Sequence, residues 1–210
     1  MRVYFFTLRR TFSLILLFFL LSSPAFSQSA KQFARAQNII NHFAAIKVMT
    51  GDFIQFNPKG KMTKGTFYLE RPGKIRFSYK GVPLQVISDG KSVGVNNRAL
   101  NTWSFYQLSQ TPMKFLLGNV IHLSSENLLA FREDPKTIMI VLRDKTIGKG
   151  QIKMIFDSQS YALRQWAILD QQNLETTVKI MNVRTNVRFS DDMFVIPHKN
   201  TVTLQSRNNN

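Results

Sequence analysis

Residues 65–79 read GTFYLERPGKIRFSY, two runs of alternating apolar and polar side chains hinged at Arg71, Pro72 and Gly73. Alternation with a period of two sends successive side chains to opposite faces of a strand, so the stretch predicts a β-hairpin with one apolar face. Phe67 and Leu69 share that face on the first run and Ile75, Phe77 and Tyr79 on the second, while Lys74, Arg76, Ser78 and Lys80 take the other. Arg71 is in register with the apolar side chains. A guanidinium is costly to bury unless its donors find acceptors, so either this strand end is wet or the arginine has a partner.

The flanking sequence continues the pattern. Residues 51–56 (GDFIQF) form a strand ahead of the turn Asn57-Pro58-Lys59-Gly60, and residues 84–95 (LQVISDGKSVGV) form a second hairpin about the turn Ser88-Asp89-Gly90-Lys91. Residues 101–108 (NTWSFYQL) add a strand with bulk on both faces. Thr111 and Pro112 have the composition of an N-cap and first helical position for a short helix that stops at Gly118. Beyond it Ser124, Ser125 and Glu126 suit the start of another short helix. From residue 137 four strands follow in succession, TIMIVLRD, GQIKMIFD, YALRQWAILD and LETTVKIMNV, separated by short polar turns. Residues 193–196 read as a last strand before Pro197. Ahead of the sheet, Phe33, Ala36, Ile40, Phe43 and Ile46 or Lys47 follow the three-and-four spacing of an amphipathic helix over residues 29–47.

The pattern gives a mainly β fold of about ten or eleven antiparallel strands with two or three helices, and a sheet of that length curls. Its apolar concave face then needs another layer or a ligand to fill it.

Residues 1–27 stand apart. Arg2, Arg9 and Arg10 precede an apolar run over residues 11–21, and Ala25-Phe26-Ser27 supplies small residues at the positions a signal peptidase reads. The run is short of the roughly 20 residues that span a bilayer. The expectation is a signal peptide cleaved after Ser27 and one domain over residues 28–210. The whole chain carries a net charge of +16, and loss of the three leader arginines leaves +13. There is no cysteine, which excludes disulfides, thiolate chemistry and a lipid anchor on sulfur.

Catalytic signals are missing from this sequence. His42, His122 and His198 are far apart with no metal-ligand spacing, and of the 12 carboxylates Asp89, Asp144, Asp157, Asp170, Asp191 and Asp192 lie in turn-like contexts. No nucleophile elbow, phosphate loop or dinucleotide fingerprint occurs. The reading is a protein that is not an enzyme and has no cofactor and no metal. Lys74 to Lys80 interleaves cations with aromatics, but on a strand the two fall on opposite faces, which does not suit a nucleic-acid groove. An anionic membrane surface or polymer remains the alternative partner for the basic face.

The order of motifs resembles the periplasmic lipoprotein carrier (LolA) family over nearly all of residues 28–197. It rests on the leading helix, residues 51–56 (GDFIQF), residues 65–73 (GTFYLERPG), residues 88–91 (SDGK), Thr111-Pro112 before an apolar helix, and residues 186–194 ahead of Pro197. The resemblance implies an incomplete antiparallel β-barrel closed by a helical lid. It implies a periplasmic chaperone, monomeric, that takes the acyl chains of lipoproteins from an inner-membrane lipoprotein-release transporter and passes them to an outer-membrane lipoprotein acceptor. It also implies that Arg71 is a lid latch, bonded to the lid when the carrier is empty. Phe67, Leu69, Ile75, Phe77, Tyr79, Met154, Phe156 and Trp166 are the candidates for acyl-chain binding. One departure is Ser92-Val93-Gly94-Val95-Asn96-Asn97, where the family has an aromatic-rich strand; smaller side chains line the pocket there.

Overall fold

The computed structural model describes residues 25–145, 148 and 150–197. Most of the expected leader, together with His198 and the tail beyond it, lies outside the described residues. Helix α1 (Ala25–Ala45) precedes strands β1 (Val48–Phe56), β2 (Met62–Glu70), β3 (Lys74–Lys80), β4 (Leu84–Asp89), β5 (Ser92–Asn97) and β6 (Thr102–Gln107). A short 3-10 turn (Leu108–Gln110) and the short helix α2 (Met113–Leu117) lead to β7 (Leu128–Glu133), β8 (Thr137–Arg143), β9 (Gln151–Asp157), β10 (Leu163–Leu169) and β11 (Glu175–Thr185).

All eleven strands belong to one antiparallel sheet in the order β6-β5-β4-β3-β2-β1-β11-β10-β9-β8-β7. The sheet is not closed: β6 and β7 are its two edges, and the chain between them carries α2. The long-range closure is β1 against β11, with Phe53 opposite Ile180 and Gln55 opposite Val178. Because register and side-chain period agree, β2, β3, β8 and β9 each bury every second residue. Those residues form one apolar cluster on the concave side, against which α1 lays Ala36, Ile39, Ile40, Phe43 and Ala44.

Close approach fixes the hairpin locally. A Cβ on Gly65 would lie 2.0 Å from the Ser78 carbonyl oxygen, so only glycine lets β2 meet β3 there. Gly73 has φ +79°, and a Cβ on it would lie 2.6 Å from Gly90 Cα. The β2–β3 and β4–β5 turns are thus packed backbone to backbone, with Ser88 Oγ donating to Gly73 O at 2.7 Å.

Four expectations are corrected. Helix α1 is assigned over Ala25–Ala45 rather than residues 29–47. Thr111 does not cap α2; Pro112 occupies the N-cap without a side-chain bond, and Thr111 Oγ1 donates back to Leu108 O at 3.0 Å. Ser124 to Glu126 start a turn that runs into β7, not a helix, because Asn127 and Leu128 N–H groups fold back onto Ser124 O without continuing. Residues 193–196 are not a strand. They end a strap, residues 186–196, that crosses the convex face: Phe189 meets Tyr68 edge-on at 5.6 Å, Arg76 Nη1 donates to Met193 O at 3.0 Å, and Ile196 packs with Ile87 and Trp103. With side chains taking its polar and apolar contacts, the strap has no ladder to join.

Candidate functional site

Arg71 directly follows β2, on the concave side, and is only 5 % exposed. Its Nε donates to Gly118 O at 3.1 Å, its Nη2 to Leu116 O at 2.9 Å, and its Nη1 to Ile46 O. These carbonyls lie at or just beyond the C-terminal ends of α2 and α1. The last carbonyls of a helix have no intrahelical partner and carry its partial negative charge, so a buried cation at two converging helix ends supplies what both lack. The guanidinium also lies over the Phe43 ring, 4.2 Å from its centroid, which adds a cation–π contact from the buried stripe of α1. Burial pushes the Arg71 pKa down to about 10, so it remains a cation at neutral pH.

The backbone repeats the attachment. Arg71 N donates to Lys47 O at 2.8 Å and Gly73 N to Leu117 O at 2.9 Å, so the hairpin turn is bonded to both helical elements through main chain as well as side chain. Elsewhere α1 is held by Gln37, whose Nε2 donates to Ile121 O at 2.9 Å and whose Oε1 accepts from Leu123 N at 2.8 Å. Arg35 pairs with Glu133 at 2.8 Å, and His42, exposed on the helix, meets the Tyr161 ring edge-on at 5.8 Å.

All eight apolar candidates fall in one cluster. Phe67, Leu69, Ile75, Phe77, Tyr79, Met154, Phe156 and Trp166 line the concave face together and are buried. Phe43 of α1 sits edge-on to Phe156 at 5.7 Å, and Phe77 reaches Trp166 at 6.1 Å across the middle of the sheet. Tyr79 keeps its phenol satisfied by donating to Gln55 Oε1 at 2.7 Å, and burial raises its pKa to about 12. The trough is therefore filled by the protein's own helix. A space of about 290 Å³ remains beside the C-terminal half of α1, bordered by Phe43, Ile46, Met49, Leu163, Ile180 and Val183.

Sequence reasoning missed Gln37, Phe43 as a partner of the arginine, and the carbonyls of Ile46, Leu116 and Gly118. The carbonyls have no signature in the sequence, since any residue supplies one. Gln37 has a weak signal, a long amide next to the apolar stripe at Ala36 and Ile40. The smaller strand at residues 92–97 is explained in part: Val93 joins the concave cluster, whereas Gly94 faces the convex side, where a Cβ would lie 2.9 Å from Trp103. Among the described residues no group of His, Cys, Asp or Glu is placed to hold a metal ion, and no helix is long and apolar enough to cross a membrane.

Fold and site together define an open half-barrel whose apolar trough is covered by its own helices and pinned at one buried arginine. The chain belongs to the outer membrane lipoprotein carrier protein LolA family, whose model matches residues 44–197. Among solved structures, an uncharacterized conserved protein from Thermus thermophilus superposes with a TM-score of 0.50 at 10% identity, over 80% of this chain and 99% of its own, and shares the fold. A putative outer membrane lipoprotein-sorting protein domain from Vibrio parahaemolyticus gives 0.43 at 11% identity, over 79% of this chain and 97% of its own. A chain of the Pseudomonas aeruginosa MucA/MucB complex gives 0.43 at 8% identity, over 80% of this chain and 61% of its own. No curated protein matches the sequence.

Proposed function

We propose that the protein is a periplasmic carrier that shelters the acyl chains of lipoproteins between the inner and the outer membrane. The observation that carries this reading is the concave face: a continuous apolar surface on an unclosed sheet, covered by α1 and α2 rather than by a second sheet. A cover attached at one end of a hairpin and by the few side-chain bonds of Gln37 and Arg35, with no ladder to the sheet, can move without unfolding the strands beneath it. Acyl chains would take the place of α1 against Phe77, Met154, Phe156 and Trp166.

Burying a methylene is worth about 0.8 kcal/mol, so lipid tails do not cross water unescorted, and an escort that bound them at full strength would not release them. A lid that occupies the same surface lowers the net affinity by the cost of opening it. In this reading Arg71 is the latch. Its bonds to Ile46, Leu116 and Gly118 hold the empty state closed, and displacing them offsets part of the gain from binding lipid. Loading energy comes from an inner-membrane release transporter and delivery goes to an outer-membrane acceptor, so the carrier itself needs no catalytic group or cofactor.

Photo-reactive phenylalanine analogues at Phe77 and Phe156, and at Met154, test the site in cells. Capture of acylated lipoproteins from these three positions is expected, with none from the outward Lys153 and Lys179. Capture from the outward pair alone removes the trough as the binding surface.

A further inference from the structure

Three turns come together at the strand ends away from Arg71: residues 57–61 between β1 and β2, 81–83 between β3 and β4, and 98–101 between β5 and β6. Their adjacency follows from pairing. Lys64 stands opposite Lys80, Leu84 opposite Asn97, and Arg98 N donates to Pro83 O at 2.7 Å. The rim so formed exposes Lys59, Lys61, Lys64, Lys80 and Arg98, and among the described residues none of these five is in an ion pair. No carboxylate occurs in residues 53–69, 71–88 or 90–125, so the three turns carry none of their own; Glu175, at the neighbouring end of β11, is paired with Lys153.

Two features are not those of an ordinary solvated surface. Like charges directly opposite on neighbouring strands destabilise a sheet, and Lys64 with Lys80 is such a pair. A local rule broken without compensation within the fold marks a surface kept for something outside it. Large apolar side chains also stand in water among the cations: Met62 is 57 % exposed and Leu100 is 69 % exposed. The tips that present them are braced by their own asparagines. Asn57 Oδ1 accepts from Lys59 N and Lys61 N, and Asn97 Oδ1 accepts from Ala99 N and Leu100 N.

We propose that this rim docks on a membrane surface rich in anionic headgroups, the cations facing the phosphates and Met62 and Leu100 entering the interfacial layer. A basic surface with apolar side chains at its crest fits that boundary, where one medium is charged and the next apolar. It does not fit a nucleic-acid strand, since Phe77 and Tyr79 are turned into the trough and offer no stacking platform. Docking sets the hairpin upright on the bilayer with Arg71 at the far end. The part of the trough wall nearest the membrane would be the 81–83 turn and the start of β4, where Val82, Leu84 and Val86 are only half-buried against the main cluster.

Sedimentation of the purified protein with phosphatidylcholine vesicles, with and without phosphatidylglycerol, tests the rim. Binding is expected only with phosphatidylglycerol and should fall steeply with salt. The triple variant Lys61→Glu, Lys64→Glu, Lys80→Glu should lose binding by about a hundredfold or more, since each basic residue at such a surface contributes about fivefold. Met62→Ser with Leu100→Ser should keep the salt-sensitive attraction and lose the binding that persists at high salt. Indifference of the parent protein to phosphatidylglycerol, or equal binding by parent and triple variant, overturns the proposal. So does equal affinity for soluble polyglutamate, which would make the partner an acidic chain. No acylated protein is present, so failure here and failure of cargo capture in the trough are separate results.

Discussion

The two ends of the β2–β3 hairpin treat positive charge in opposite ways. At the turn, Arg71 is buried and gives hydrogen bonds from all three guanidinium nitrogens to helix-end carbonyls, while on the outer face Lys74 pairs with Glu70 at 2.7 Å. At the open end, Lys64 and Lys80 face each other in water with no carboxylate partner among the described residues. One charge is held by geometry inside the molecule and the other pair is left to repel. The difference shows that net charge alone says little here. What matters is which cations the fold has already satisfied.

Breaking the satisfied end should have the larger effect. Arg71→Leu leaves three carbonyls without their donor, that of Leu116 buried and those of Ile46 and Gly118 half-buried, and the empty protein should lose about 3 kcal/mol in urea unfolding. In transfer assays the same variant should still load lipoprotein and release it poorly to the acceptor, because an unlatched lid no longer competes for the trough. Unchanged release would show that Arg71 serves the fold and not the latch. At the other end the sign reverses. Lys64→Glu turns a repulsive cross-strand pair into an attractive one, and stability should rise by about 0.5 kcal/mol in the same measurement. A loss of stability there would mean that the lysines are satisfied in a way the pairing does not reveal.

The hairpin, its apolar face and the odd position of Arg71 were legible in the sequence because strand periodicity assigns faces residue by residue. The same periodicity placed Met154, Phe156 and Trp166 on strands, and the register of β9 with β10, Met154 opposite Trp166, brings them to one surface. What the arginine touches was not legible. Its acceptors are main-chain carbonyls from segments 25 to 47 residues away, and a carbonyl has no residue type. The resemblance to a known family implied a lid, and α1 and α2 are the elements that cover the trough. Residues 193–196 misled for a different reason. Their apolar pattern resembles a strand, but Ile196 and Phe194 answer to convex-face partners, Trp103 and Phe189, the first of them far away along the chain. Local pattern does not tell an added strand from a strap. The rim of lysines was visible as composition only, because its three turns become neighbours through strand pairing.

The central claim is that α1 must leave the sheet for cargo to enter. The chain has no cysteine, so His42→Cys with Tyr161→Cys, replacing two side chains whose rings are 5.8 Å apart, gives a pair that a short bis-methanethiosulfonate linker can bridge through two disulfide bonds without side reactions. With the linker in place the protein should take up no acylated lipoprotein, and cleaving the linker with reductant should restore uptake to the level of the unlinked variant. Equal uptake by the linked and cleaved forms would contradict the account, since lipid would then be entering a trough that α1 had never uncovered.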